Sequence, residues 1–171
     1  MRKAVVSLAL VFCGAALATD GAVWTGFRSD PGRFAISFPG KPQAMTQTYD
    51  TKVGKVLAHI FVAPHGNELA YFVAYNDYPA DRAVGADPQA VLQGGKQGLL
   101  KNGQRTLTSE RSTSLGGHPG LEMTWKTPEG HTGIVRVFLA KNRLYQVMVM
   151  RRAGTVAPAD YERFLGSFRI L

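Results

Sequence analysis

Apolar and polar residues alternate with a two-residue period at Phe34, Ile36 and Phe38, separated by Ala35 and Ser37. That period marks a strand with one buried face, which Pro39 and Pro42 bring to an end. QAMTQTYDT follows, mostly polar, and reads as an edge or half-exposed strand, with KVGK and its Gly54 as a tight reversal. Val56 to Pro64 and Leu69 to Asp77 are apolar on both faces, with HGNE as the turn between them. Two-sided apolar strands belong in the middle of a sheet covered above and below. Asp87-Pro88 then opens a helix, with Asp as cap and Pro in the first turn. Val91, Leu92, Leu99 and Leu100 share one face before Asn102-Gly103 stops it. Gly94, Gly95 and Gly98 lie inside this helix and weaken it by about 1 kcal/mol each, which predicts close packing on the sheet. LTSERSTSL, GLEMTWKTP, IVRVFLAKN and RLYQVMVMR follow as strands, the last two joined as a hairpin through Lys141-Asn142-Arg143. Pro158 opens a last helix with Tyr161, Phe164, Leu165 and Phe168 on one face, running into FLGSFRIL. Strands, a helix, strands and a helix predict an α+β domain, an antiparallel sheet flanked by helices.

The N-terminal pattern is of another kind. Arg2 and Lys3 precede fifteen residues, Ala4 to Ala18, that are nearly all apolar and end in Ala-Leu-Ala. A basic start, an apolar middle and a small-x-small end describe a secretory signal peptide, and the run is short of the roughly 20 residues a spanning helix needs. Residues 1–18 are therefore expected to be removed, leaving one domain over 19–171, periplasmic or extracellular. Phe12 before Cys13 is too bulky for a lipid-bearing cysteine. Cleavage at Ala18 also removes Cys13, the single cysteine, and with it any disulfide, thiol nucleophile or thiolate metal site. The remaining chain is long enough to bury about two-thirds of its unfolded surface.

FAISFPGKP, AYFVAYNDYPAD, the DP-headed helix ending at GLLKNG, LGGHPGLE, RVFLAKNRLYQVMV and FLGSFRIL come in an order that resembles bacterial secreted proteins of the PsbP-like, or Mog-type, α/β/α sandwich group. The resemblance runs from about Trp24 to Leu171. It implies an antiparallel sheet with helices on both faces, and a binding or accessory role more often than catalysis. Members include an extrinsic subunit of the photosynthetic oxygen-evolving complex and a partner of a nuclear-transport GTPase. The resemblance carries no catalytic motif onto this chain.

Charge adds little. The formal charge of +8 falls to +6 without Arg2 and Lys3, and the basic residues are scattered, so a solvated basic surface is the plain reading. Weak association with an anionic envelope surface is the alternative. RVFLAKNRLYQVMVMRR is the best stretch for nucleic acid, but export argues against such a partner. Gly40-Lys41 after a strand suggests a phosphate loop. However, Pro42 stands where a hydroxyl residue is needed and no helix follows. His59 sits in a strand, and His65, His118 and His131 sit by glycine or proline in turns, without metal-ligand spacing. Leu165-Gly166-Ser167-Phe168 lacks the strand-to-helix setting of a nucleophile elbow. No catalytic residue, metal or cofactor is expected.

Asp77, Asp81 and Asp87 form the one local carboxylate cluster, where a central strand leaves the sheet. Acid-base chemistry there would make the chain a hydrolase, while turn-forming and capping roles are the structural alternative. The aromatics Tyr71, Phe72, Tyr75, Tyr78, Trp125 and Tyr145 either fill the core or line a concave site. The candidate ligand-site residues are thus Tyr75, Asp77, Tyr78 and Asp81. The expected function is an exported, non-enzymatic binding or accessory domain whose partner, a protein or a small molecule, is open, as is its oligomeric state. A carboxylate- or His-dependent hydrolase is the alternative.

Overall fold

The structure is a computed structural model that describes residues 23–51, 54–79, 87–152 and 158–171. Residues 1–18, expected to be a signal peptide, and Asp81 lie outside the described residues. In chain order the elements are β1 (Trp24–Ser29), β2 (Phe34–Pro39), β3 (Gln43–Thr51), β4 (Gly54–His65), β5 (Leu69–Asp77), α1 (Pro88–Asn102), β6 (Thr106–Leu115), β7 (His118–Lys126), β8 (His131–Ala140), β9 (Arg143–Arg152), α2 (Pro158–Ser167) and β10 (Arg169–Ile170). Seven strands form one antiparallel sheet in the order β3-β4-β5-β9-β8-β7-β6. It consists of two meanders that meet where β5 pairs with β9. β5 stands near its centre and is buried at every residue except Ala74 and Asp77, as its two-sided apolar composition requires.

The two faces are covered differently. Against one lie α2 and a second, three-stranded sheet, β1-β2-β10, which bring Phe34, Phe38, Phe164 and Phe168 onto Tyr71, Val73, Tyr75 and Tyr145. Each such side chain taken from water contributes about 1.5–3 kcal/mol. Against the other lies α1, whose Leu92 and Leu99 meet Met123, Trp125, Val135, Val137 and Leu144. The architecture is α+β and mainly sheet. A sheet flanked simply by helices is corrected in one respect: a small sheet shares one of the covering layers. FAISFPGKP is accordingly the middle strand of that small sheet rather than a strand of the large one.

Two short strands account for the difference. Trp24–Ser29 pairs along the whole of β2, and Arg169–Ile170 pairs with Phe34 and Ala35. The last helix stops at Ser167, whose Oγ donates to the Phe164 carbonyl (2.8 Å) and accepts from the Ser37 amide (3.0 Å). That bond ties α2 to β2 and lets the chain turn into β10. Gly40 leaves β2 at φ +102°, in the region that favours glycine. The Gly-Lys pair is a strand exit.

The helix glycines divide. A Cβ on Gly95 would lie 2.7 Å from Leu144 Cδ2, whereas one on Gly94 or Gly98 meets nothing within 4 Å. Close packing explains Gly95 and leaves the other two without a structural reason. Asp87 caps α1 as expected, accepting from the Gln89 amide at 3.1 Å.

Candidate functional site

Strand period and register assemble the site at one end of the large sheet. Tyr75 and Asp77, two apart on β5, share a face. β4 places His59 opposite Tyr75, and β9 places Arg143 opposite Asp77. The His59 and Tyr75 rings stack at 4.7 Å and 12°, and the Arg143 guanidinium lies 4.6 Å from the same tyrosine ring. Its planar fork grips both carboxylate oxygens: Nε to Asp77 Oδ1 at 2.6 Å and NH2 to Oδ2 at 2.7 Å. The remaining nitrogen, NH1, donates to the Pro31 carbonyl at 2.7 Å, and the buried Tyr145 hydroxyl donates to the Gly32 carbonyl at 2.8 Å. Two side chains of β9 therefore hold the β1–β2 turn against the large sheet.

The β8–β9 connection sets this register. Lys141 takes φ +56°, and Asn142 receives the Tyr78 amide at 2.8 Å and donates its own amide to the Tyr78 carbonyl at 2.9 Å. The chain leaving β5 is thus fastened to the hairpin that carries Arg143.

Beside this cluster an open cleft of about 390 Å³ is lined by Lys55, Val56, Leu57, His59, Asp77, Tyr78 and Pro79. Leu57 is 48% exposed, the most exposed large apolar side chain of the rim. The cleft combines an ammonium, an imidazole, a carboxylate and an apolar wall, and its size suits a small ligand.

Electrostatics assign the carboxylate its role. The hydrogen bonds from Arg143 hold Asp77 below its ordinary value against the opposing effect of burial, and His59 adds to the lowering. Reciprocally, Asp77 raises Arg143. Burial pushes up the hydroxyls of Tyr75, Tyr78 and Tyr145. An anion so gripped is a weak base and a poor proton donor at neutral pH.

The four candidate residues do not converge. Tyr75 is buried, 5% exposed, among Phe34, Phe61 and Tyr145, so its ring braces the site from below. Asp77 faces the cleft, and Tyr78 is on its wall, half-buried against the α1 side of the sheet. Asp81 lies outside the described residues, and Asp87 is spent on its cap. His59 and Arg143 complete the cluster and are not among the residues expected from sequence. Arg143 stands 66 positions from Asp77, and strand pairing alone joins them. Among the described residues no group of three or more His, Cys, Asp or Glu is placed to hold a metal ion.

A second set of basic groups lies on aromatic rings near α2. Arg163 sits over Trp24 at 4.6 Å and Arg151 over Tyr161 at 5.3 Å.

No protein-family model matches the sequence, and no curated protein matches it. Among solved structures, the solution structure of cyanobacterial PsbP (CyanoP) from Synechocystis sp. PCC 6803 is similar, with a TM-score of 0.61 at 10% identity. The match covers 92% of this chain and 98% of that one. A Bacteroides thetaiotaomicron protein gives a TM-score of 0.45 at 12% identity over 85% of this chain and 48% of its own. A Pseudomonas aeruginosa protein of unknown function gives 0.38 at 14% identity over 80% and 85%. At these identities, and with the two lower scores carrying no weight, the comparison speaks to architecture alone. Element order, the large antiparallel sheet and the match along nearly the whole chain agree on one conclusion: the fold is PsbP-like.

Proposed function

We propose that the chain is an exported binding or accessory domain, of the Mog-type group within this fold, that takes a small molecule or a protein segment in the Leu57–His59–Asp77 cleft. One observation carries the reading: the Arg143 fork occupies both oxygens of the carboxylate, which suits a rigid polar floor better than proton transfer. The hydrolase alternative loses its best base by the same contact. Leu57 supplies exposed apolar surface, and Lys55 and His59 supply donors at fixed strand positions. Two measurements test this. Mass spectrometry of the protein recovered from cell fractions should find residues 19–171 outside the cytoplasm; an intact N-terminus retained in the cytoplasm sinks the export half. For the binding half, amide shifts during a fragment screen should cluster at residues 55–59 and 77–79 and vanish in Leu57→Lys. Shifts scattered over the surface, or unchanged by that substitution, count against the cleft.

A second reading, attachment to an anionic envelope surface, is favoured by the net basic charge and by Arg151 and Arg163 on their aromatic rings. Binding to anionic vesicles that persists at high salt would contradict it.

A further inference from the structure

The two edges of the large sheet are treated differently. β6 is blunted in the ways edge strands usually are. Its pairing is broken by a bulge between Leu107 and Ser109. Its charges are tied inward, with Glu110 on Lys96 at 2.8 Å and Arg111 on Glu122 at 2.8 Å. β3, at the other edge, has no bulge, and its one charge, Asp50, reaches only a long ion pair with Lys55 of β4, at 3.9 Å between exposed side chains. Its nine residues keep unbroken register with β4 from Gln43 to Thr51. They include no Lys, Arg or Pro, and seven of them are exposed. Met45 is 41% exposed on the edge, and Leu57, 48% exposed, stands directly behind Thr48.

The order of residues along β3 is self-complementary. If a second copy runs antiparallel with Gln47 facing Gln47, the cross-strand partners become Thr46 with Thr48, Met45 with Tyr49, Ala44 with Asp50 and Gln43 with Thr51. Directly opposite residues share a face, and each of these pairs satisfies that requirement because Gln47 lies on the two-fold axis. Thr–Thr and apolar–aromatic pairs are among those that stabilise sheets, and a thioether beside an aromatic ring adds a further favourable contact. The single charge of the strand, Asp50, falls opposite Ala44 and meets no like charge. About this axis a second copy makes each favourable pair twice, Thr46 with Thr48 and Met45 with Tyr49, and a two-fold interface of this kind is closed and finite.

We propose that two copies of this chain pair along β3, antiparallel about Gln47, joining their seven-stranded sheets into one. Gln47 is half-buried on its own strand, and its side chain accepts from the neighbouring Tyr49 hydroxyl at 3.0 Å, a local contact whose loss to a charge should leave the monomer folded. The test uses the purified chain, Gln47→Lys, Gln47→Glu and their equimolar mixture. Sedimentation equilibrium is run over roughly 1–300 µM, with circular dichroism to verify that each variant is folded. The unsubstituted chain should dimerise. Each variant alone places like charges across the axis and should dimerise at least about tenfold more weakly. The mixture should recover the dimer as a Lys–Glu heterodimer. A chain that stays monomeric throughout overturns the proposal and leaves the edge to a foreign strand. A dimer indifferent to both substitutions, or weakened by both without recovery on mixing, overturns it by placing the interface elsewhere.

Discussion

The three glycines of α1 give a sharp contrast, because they share one helix and differ only in what surrounds them. Replacing glycine by alanine inside a helix removes backbone freedom from the unfolded chain and stabilises by about 0.8–1 kcal/mol when the methyl has room. At Gly94 and Gly98 there is nothing within 4 Å of the added carbon, so the gain should be realised at both. Gly94→Ala with Gly98→Ala should then add about 2 kcal/mol. For a domain of this size that is a rise in Tm of about 4–8 °C. At Gly95 the methyl would lie 2.7 Å from Leu144 Cδ2. Leu144 is 1% exposed, packed among Leu92, Met123 and Val137, and cannot swing into solvent. Overpacking of that kind costs about 1–3 kcal/mol, which cancels or exceeds the helical gain. Urea and thermal unfolding of the three single variants and the double variant, followed by circular dichroism, measure this directly. If Gly95→Ala stabilises as much as its neighbours, the close approach of α1 to β9 is wrong. If Gly94→Ala destabilises, the helix is not regular at that point.

Two further outcomes follow from the contacts of the large sheet. The carboxylates of Asp77, gripped by Arg143, and Glu110, bonded by Lys96, are held below their ordinary values. Glu122 is raised by burial but brought lower overall by Arg136 and Arg111. Groups whose pKa is depressed by folding stabilise the protein above the unfolded carboxylate value near about 4 and lose that contribution as pH falls through the folded values. Urea midpoints should therefore be flat from pH 7 to 5 and fall below about pH 4. The fall should be shallower in the double variant Asp77→Asn, Glu122→Gln, and an equally steep fall there would refute the assignment. Separately, Tyr145→Phe keeps the ring in its aromatic cluster but leaves the Gly32 carbonyl without its buried donor. A loss of about 1–3 kcal/mol is expected, read as a Tm lower by about 2–4 °C for each kcal/mol. An unchanged Tm would mean that the bond contributes nothing to holding the β1–β2 turn.

Periodicity made most of the fold readable in advance. The two-sided apolar run of β5 marks a central strand on sight, and the Asp87-Pro88 start of α1 carries its own cap chemistry. β1 and β10 escape because neither has a period long enough to register. In β1 the residues Trp24 and Phe27 stand three apart, and β10 is two residues following directly on a helical pattern that includes Phe168. At the site, Tyr75 and Asp77 could be singled out as aromatic and acid at a strand exit. What they do depends on His59 and Arg143, which reach them only through the pairing of β4, β5 and β9. Register over such separations leaves no local mark on the chain, so an arginine just past a hairpin turn looks like any exposed charge.

The middle position of β2 bears on the timing of folding. Its neighbours are residues 24–29 on one side and 169–170 on the other, so the small sheet joins the first described strand to the last described one. Phe34 and Phe38 likewise wait for Phe164 and Phe168 to close over them. Nothing emerging earlier from a ribosome or a translocation channel can complete that layer. The fold is in this sense assembled from both flanks at once, and the layer over β2 stays open until residues 164–170 have joined it.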